Sequence, residues 1–274
     1  MKKLLTLLFV ATALTSCNNA TVDPLEDGVL TIGLECAYSP FNYTEYQAND
    51  NNVLIKGTSS DYCGGYDILI AKELCKELNV KLEVVRCKWE GLIPSLQSGT
   101  IDAIIAGMTD TAERRNSIDF TNEYYSSQLV IVCKNNEKNN TLTSIEQFAN
   151  MKFIAQAGTI QADLIDSLAD SESDNYAGII AGTHTNTYPD AFLALQNNTV
   201  DCVVAEKPVA NTYLANNNGY IAITLEGNDD FVVSVSIGIS KKVDSSYKDK
   251  LNAALETIST EKRQELMNLV TEGK

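Results

Sequence analysis

Two stretches of the chain end in residues able to hold opposite charges. Gly107-Met108-Thr109-Asp110-Thr111-Ala112-Glu113-Arg114 reads as a helix start with Thr111 as N-cap, leaving Arg114 in the first turn. A cation there opposes the helix dipole, and a bound anion would resolve the conflict. A guanidinium grips a carboxylate through two parallel hydrogen bonds, and Thr109 can add its hydroxyl and backbone N–H. The competing reading of Arg114 is a surface ion pair with Glu113 or Asp110. Glu206 follows Cys202-Val203-Val204-Ala205 and precedes Pro208, which suits a helix start. An acid at that strand end could receive an ammonium group; taken alone, it reads better as a solvated loop acid. Taken together, Arg114 and Glu206 match the two charges of an α-amino acid.

Aromatic residues stand in comparable places. Tyr38-Ser39-Pro40-Phe41 and Trp89-Glu90-Gly91-Leu92-Ile93-Pro94 follow expected strands and lie on one edge of a sheet. Rings there can sandwich an alkyl or cationic side chain, at about 0.5–2 kcal/mol for a cation–π contact. Core packing competes with this, most strongly for Phe41.

The elements that must position these residues alternate between strand and helix, which predicts an α/β fold with mostly parallel strands. Strands are expected at 29–33, 81–85, 101–106, 129–133, 152–156, 200–205 and 220–225. Helices are expected at 68–78, with Asp67 as N-cap, and at 91–97, 159–168, 191–196, 208–216 and 247–270. Leu96-Gln97-Ser98-Gly99-Thr100-Ile101-Asp102-Ala103-Ile104-Ile105-Ala106 recurs as Leu195-Gln196-Asn197-Asn198-Thr199-Val200-Asp201-Cys202-Val203-Val204-Ala205. Helix end, turn and buried strand repeat in the same order, which predicts two similarly built lobes. Gly107 and Glu206 then occupy equivalent strand ends, the edge at which open α/β sheets bind ligands.

Lys2 and Lys3 precede an apolar stretch that ends in Leu14-Thr15-Ser16-Cys17, a lipobox spacing. Residues 1–16 are expected to be a lipoprotein signal peptide, Cys17 the lipidated residue, and 17–27 the tether. Lipid on Cys17 would be the membrane attachment, outside the cytoplasm. The net charge of −15, more negative once Lys2 and Lys3 are removed, repels polyphosphates and argues against nucleic acid. Of the seven cysteines, none forms a CxxC pair, and His184 is the one histidine, so no metal or cofactor is expected. Cys75, Cys133 and Cys202 read as core residues, and a Cys36–Cys63 bridge stays open.

These motifs resemble the extracellular solute-binding proteins that serve polar amino acid importers of the ATP-binding-cassette type, from about Gly28 to the C-terminal helix. The resemblance rests on Glu35-Cys36-Ala37-Tyr38-Ser39-Pro40-Phe41, Gly64-Gly65-Tyr66-Asp67, the Trp89 and Gly107 motifs, Ile118-Asp119-Phe120, Ala157-Gly158-Thr159 and Val200 through Pro208. It implies a two-lobed fold of the periplasmic-binding-protein type, lobe 1 being 28–126 plus 236–274 and lobe 2 being 127–235. Hinge crossings are expected near 124–128 and 231–235. It further implies that Arg114 and Thr109 bind an α-carboxylate, covered by a backbone N–H near Thr159 or Ile160. Glu206 and the Gly107 carbonyl would bind the α-ammonium, with Met108 in the same segment, and Tyr38 and Trp89 would flank the side chain. The family usually has aspartate where Glu206 stands. Glu35, at a position that often meets the ligand side chain, favours a polar or basic amino acid. The segment 42–63 is longer than usual and could cover one cleft wall.

The expected protein is thus a monomeric binding lipoprotein that delivers a free amino acid to an importer permease, not an enzyme. A sensor lipoprotein and an exported dehydratase on the same scaffold are the alternatives; no convergent acid–base pair or nucleophile is evident for the latter.

Overall fold

The structure is a computed structural model that describes residues 23–225 and 231–271. The expected signal peptide, Cys17 and the start of the tether lie outside the described residues. The chain enters through β1 (Val29–Leu34) and then forms β2 (Ala37–Tyr38), β3 (Asn42–Glu45), β4 (Val53–Leu54) and β5 (Tyr62–Gly64), a small antiparallel sheet. After α1 (Tyr66–Leu78), β6 (Lys81–Arg86) runs parallel to β1; after α2 (Leu92–Gln97), β7 (Ala103–Ile104) does so on the other side. A long strand, β8 (Asp119–Lys134), then leads into the second half. That half is built from β9 (Lys152–Ile154), α3 (Ile160–Ala169), β10 (Ile180–Ala181), α4 (Tyr188–Gln196), β11 (Cys202–Glu206), α5 (Lys207–Ala215) and β12 (Tyr220–Ile223). The chain returns through β13 (Val232–Ile239), and α6 (Ser245–Glu256) and α7 (Thr260–Thr271) pack on α1.

The main sheet has the order β10-β9-β11-β8-β13-β7-β1-β6, with β12 also on β8. Each flank is a parallel triad, as the alternating pattern predicts, while β8, β12 and β13 run antiparallel to their neighbours. Residues 119–128 of β8 pair with β13 and residues 129–134 pair with β11 and β12, so one strand belongs to both halves. The register of β13 on β8 slips at Val235/Ser236 and again at Ser236/Gly238. In β11 every residue is buried: Val203 and Ala205 face one apolar core, Cys202 and Val204 the other. A strand covered on both faces reads as an unbroken apolar run.

The internal repeat has a hydrogen-bonding cause. Gly99 and Asn198, at equivalent positions, both adopt left-handed backbone, at φ 73° and 59°. The next residue closes the helix end in each copy, Thr100 N–H to Ser95 O at 3.0 Å and Thr199 N–H to Ala194 O at 2.9 Å. The aspartates then act as clasps. Asp102 donates its N–H to Thr31 O and accepts the Thr31 N–H on Oδ2; Asp201 does both with Lys152. All four bonds are 2.8–2.9 Å. An aspartate just before each strand thus sets the register of the strand beside it.

Several expectations are corrected. Asp67 is not an N-cap: Gly65 precedes α1 at φ 118°, and Asp67 turns inward, fully buried. The segment 101–106 contributes only Ala103–Ile104 as regular strand, because its ends turn into the clasp and the loop at Gly107. The helix expected after Thr111 is a single 3-10 turn, Arg114–Asn116, with Glu113 and not Thr111 at its N-cap; Thr111 Oγ1 still accepts the Arg114 N–H at 3.1 Å. The C-terminal helix is two helices, separated at residues 257–259. The segment 42–63 lines no part of the cleft. Ile55 bridges Val84 and Lys56 N–H donates to Val84 O, so this insertion covers the outer edge of β6. Cys36 and Cys63 are free thiols.

Candidate functional site

Loops from the carboxyl ends of β1, β6, β7, β9 and β11 converge on one cleft between the halves, with about 360 Å3 of space not filled by atoms. The two parallel triads run in opposite directions and are offset along β8 and β13, so their carboxyl ends face one another, which is why segments distant in sequence meet there. Of the ten expected ligand residues, Glu35, Tyr38, Trp89, Gly107, Thr109, Arg114, Thr159, Ile160 and Glu206 line this cleft. Met108 does not: it is 2% exposed and its side chain packs in the core.

Arg114 is reached from β7 through the Thr111 turn. It donates to Thr109 O at 2.7 Å and, across the cleft, to Gly158 O at 3.2 Å, while its guanidinium lies 5.3 Å from the centre of the Trp89 ring. Neither Glu113 nor Asp110 holds it by an ion pair; Arg115 takes Asp110 instead. Burial depresses the pKa of Arg114, opposed by Asp163 and Glu113. Opposite it, Thr159 caps α3 by accepting the Ala162 N–H, so the helix presents its N-terminal turn to the cleft. The first N–H groups of a helix have no carbonyl within it to donate to, and they carry its positive end. A guanidinium facing a helix start is an arrangement able to hold one carboxylate.

Glu206 ends β11 opposite Leu129 of β8 and is 2% exposed. It precedes α5 but makes no side-chain cap; its carboxyl meets the Tyr38 hydroxyl from the other half. Burial pushes its pKa up to about 8. The Tyr38 ring also stacks on Tyr188, with centroids 4.9 Å apart. Gly107 needs its type: φ is 62°, and a Cβ would stand 3.0 Å from Tyr38 Cε1. Trp89 Nε1 donates to Gly158 O at 2.9 Å, a second bond across the cleft. Both Glu35 oxygens accept from Gln156 Nε2, at 3.1 and 3.0 Å, and burial raises the Glu35 pKa.

Gln156, Gln161 and Tyr188 also line the cleft and were not anticipated. Gln156 sits just past β9, so the strand-end rule could have found it. Tyr188 opens α4, and nothing local marks its contact with Tyr38.

The family of bacterial extracellular solute-binding proteins, family 3, matches residues 30–268. A probable histidine-binding protein of Campylobacter jejuni is 32% identical over 79% of this chain and 78% of its own. An L-arginine-binding protein of Pseudomonas aeruginosa is 30% identical over 85% of this chain and 83% of its own. Among solved structures, an ancestral arginine-binding protein bound to arginine matches with a TM-score of 0.70 at 29% identity, covering 88% of this chain and 97% of that one.

Proposed function

Because the chain belongs to family 3 of the bacterial extracellular solute-binding proteins, we propose that it closes around one free amino acid and presents it to an ATP-binding-cassette importer. The observation that carries this reading is a guanidinium and a carboxyl group from different halves facing the same cleft. Arg114, Thr109 and the N–H groups at Thr159 and Ile160 take the α-carboxylate. Glu206 and the Gly107 carbonyl take the α-ammonium, and Tyr38 and Trp89 flank the side chain. Glu35 meets the far end of the ligand. Its carboxylate is held by an amide and faces no lysine or arginine ion-pair partner among the described residues, which supports a basic amino acid. The arginine- and histidine-binding relatives agree with that choice.

Lobe 1 comprises 28–126 and 236–274 and lobe 2 comprises 127–235, with hinges near 124–128 and 231–235. Supporting this division, residues 124–128 and 232–235 lie on β8 and β13, which run between the halves. The protein acts as a monomer, and a lipid on Cys17, exposed by removal of residues 1–16, holds it at the membrane.

Burying an unpaired charge costs several kcal/mol, so closure is favourable when the ligand pairs both ends of the cleft. The test is titration calorimetry with L-arginine and L-histidine on the wild type and Arg114→Ala. Truncating one partner of a buried charge pair costs about 2–5 kcal/mol, a loss of at least about thirtyfold in affinity. Near-normal affinity in a folded variant would overturn the reading.

A further inference from the structure

Beneath the floor of the cleft, buried polar groups run in one unbroken chain from one ligand-facing segment to another. The backbone N–H of Cys36 donates to Asn42 Oδ1 at 2.8 Å, and Asn42 Nδ2 donates to Asp67 Oδ2 at 2.8 Å. From the other end, the Gly107 N–H donates to the Tyr124 hydroxyl at 3.0 Å, and that hydroxyl donates to Asp67 Oδ1 at 2.7 Å. Asn42, Asp67 and Tyr124 are each 0% exposed, so bulk water cannot stand in for any link. All the donors point toward Asp67, whose two oxygens are the sinks of the chain.

Its termini give the chain its meaning. Cys36 lies between Glu35 and Tyr38, and Gly107 lies between Ala106 and Thr109, all of which line the cleft. Both terminal residues adopt left-handed backbone, Cys36 at φ 57° and Gly107 at φ 62°. For cysteine that conformation is disfavoured and needs support from outside the segment. The middle of the chain stands on β8, the strand shared by both halves, where Tyr66 fastens it by donating its hydroxyl to Tyr124 O at 3.0 Å. An aspartate whose sequence context suggests a helix cap is thus used to join two loops and a crossing strand.

We infer that Tyr124, with Asp67 and Asn42 behind it, is a positioning residue for the cleft. It sets the segments 35–38 and 106–109 at a fixed spacing and ties both to the strand that crosses between the halves. Tyr124 touches no ligand; it acts through Gly107 and, by way of Asp67 and Asn42, through Cys36. The consequence for affinity rests on the proposed amino acid site, whereas the relay itself does not.

The test is Tyr124→Phe, which keeps the ring stacked on Tyr66 and removes only the hydroxyl. Amide hydrogen exchange is measured by NMR on the ligand-free protein, and L-arginine affinity by calorimetry well below the melting temperature. Exchange is expected to quicken at least about tenfold at both Gly107 and Cys36, and affinity to fall about tenfold. Should Tyr124→Phe fail to fold, Asp67→Asn takes its place: the new amide sets an N–H against either the Tyr124 or the Asn42 donor, and the same two amides should respond. Faster exchange at Gly107 alone would overturn the relay. A merely structural role would lower the melting temperature but leave the affinity of the folded variant within twofold, and that result would overturn the positioning role. If the wild type binds no common amino acid, the proposed function fails, and the exchange at Cys36 still decides the relay.

Discussion

A carboxyl group as deeply buried as Glu206 stays protonated until about pH 8, whereas in an unfolded chain it ionises near pH 4.3. The folded protein therefore holds a proton that the unfolded chain has released between those two values. Its contribution to the stability of the ligand-free fold is complete below about pH 4 and is lost as the pH rises to about 8. Ligand binding has the opposite sign, because an ammonium group requires the ionised carboxylate. The affinity for L-arginine is expected to rise with pH by up to about tenfold per unit and to level off near pH 8, with release of about one proton below that point. Calorimetry in buffers of different ionisation enthalpy measures that release, and Glu206→Gln should both weaken binding and flatten the profile. Burial of Glu35 acts in the same direction, so some slope should survive in the variant. That Arg114 and Glu206 face one cleft was legible in the sequence, because the Gly107–Arg114 segment and Glu206 each follow a repeated strand. Their environments were not: the sequence left open a surface ion pair for Arg114 and a solvated acid at Glu206, and neither describes the fold.

Elements repeat because the bonds that hold them repeat. Asp102 and Asp201 clasp the strand beside them through the same two bonds, but Asp102 is half-buried and Asp201 is exposed. Solvent competes less for the buried clasp. Asp102→Ala is expected to cost about 1.5–3 kcal/mol and Asp201→Ala about 0.5–1.5 kcal/mol, read from urea unfolding midpoints. Equal losses would show that burial does not set the value of the clasp. The turn residues Gly99 and Asn198 were visible as matching positions, but the clasp was not, since Thr31 and Lys152 lie 71 and 49 residues from their aspartates. The insertion at 42–63 illustrates the same limit. Its length and polar composition were visible in the sequence, whereas its place along β6 is settled by backbone pairing between Ile55 and Val84.

At the scale of the molecule, the halves meet through polar contacts: Tyr38 with Glu206, Trp89 and Arg114 with Gly158, and Glu35 with Gln156. A ligand that pairs both cleft charges adds its binding free energy to closure and none to the unfolded chain. At a hundredfold excess over Kd this amounts to about 2.7 kcal/mol, a rise in melting temperature of about 5–11 °C for a chain of this size. Thermal unfolding with and without L-arginine checks this, and Arg114→Ala should remove the shift. Trp89, the single tryptophan, lies at the cleft, so its emission should change in the same titration.

The sequence alone carried the alternation of the main strands and helices, the duplicated helix-turn-strand unit, and which charged and aromatic residues fall near strand ends, but not β2–β5, β10 or β13. Those are local properties, carried by periodicity, turn residues and the immediate neighbours of each position. Only the tertiary structure decided which strand ends face each other, that Tyr188 and Gln156 complete the cleft, and that Asp67 serves a buried relay. The contact between Tyr38 and Glu206 spans 168 residues of chain. No local pattern encodes such a distance; it follows from the register of two crossing strands and from how the apolar faces of both halves pack around them.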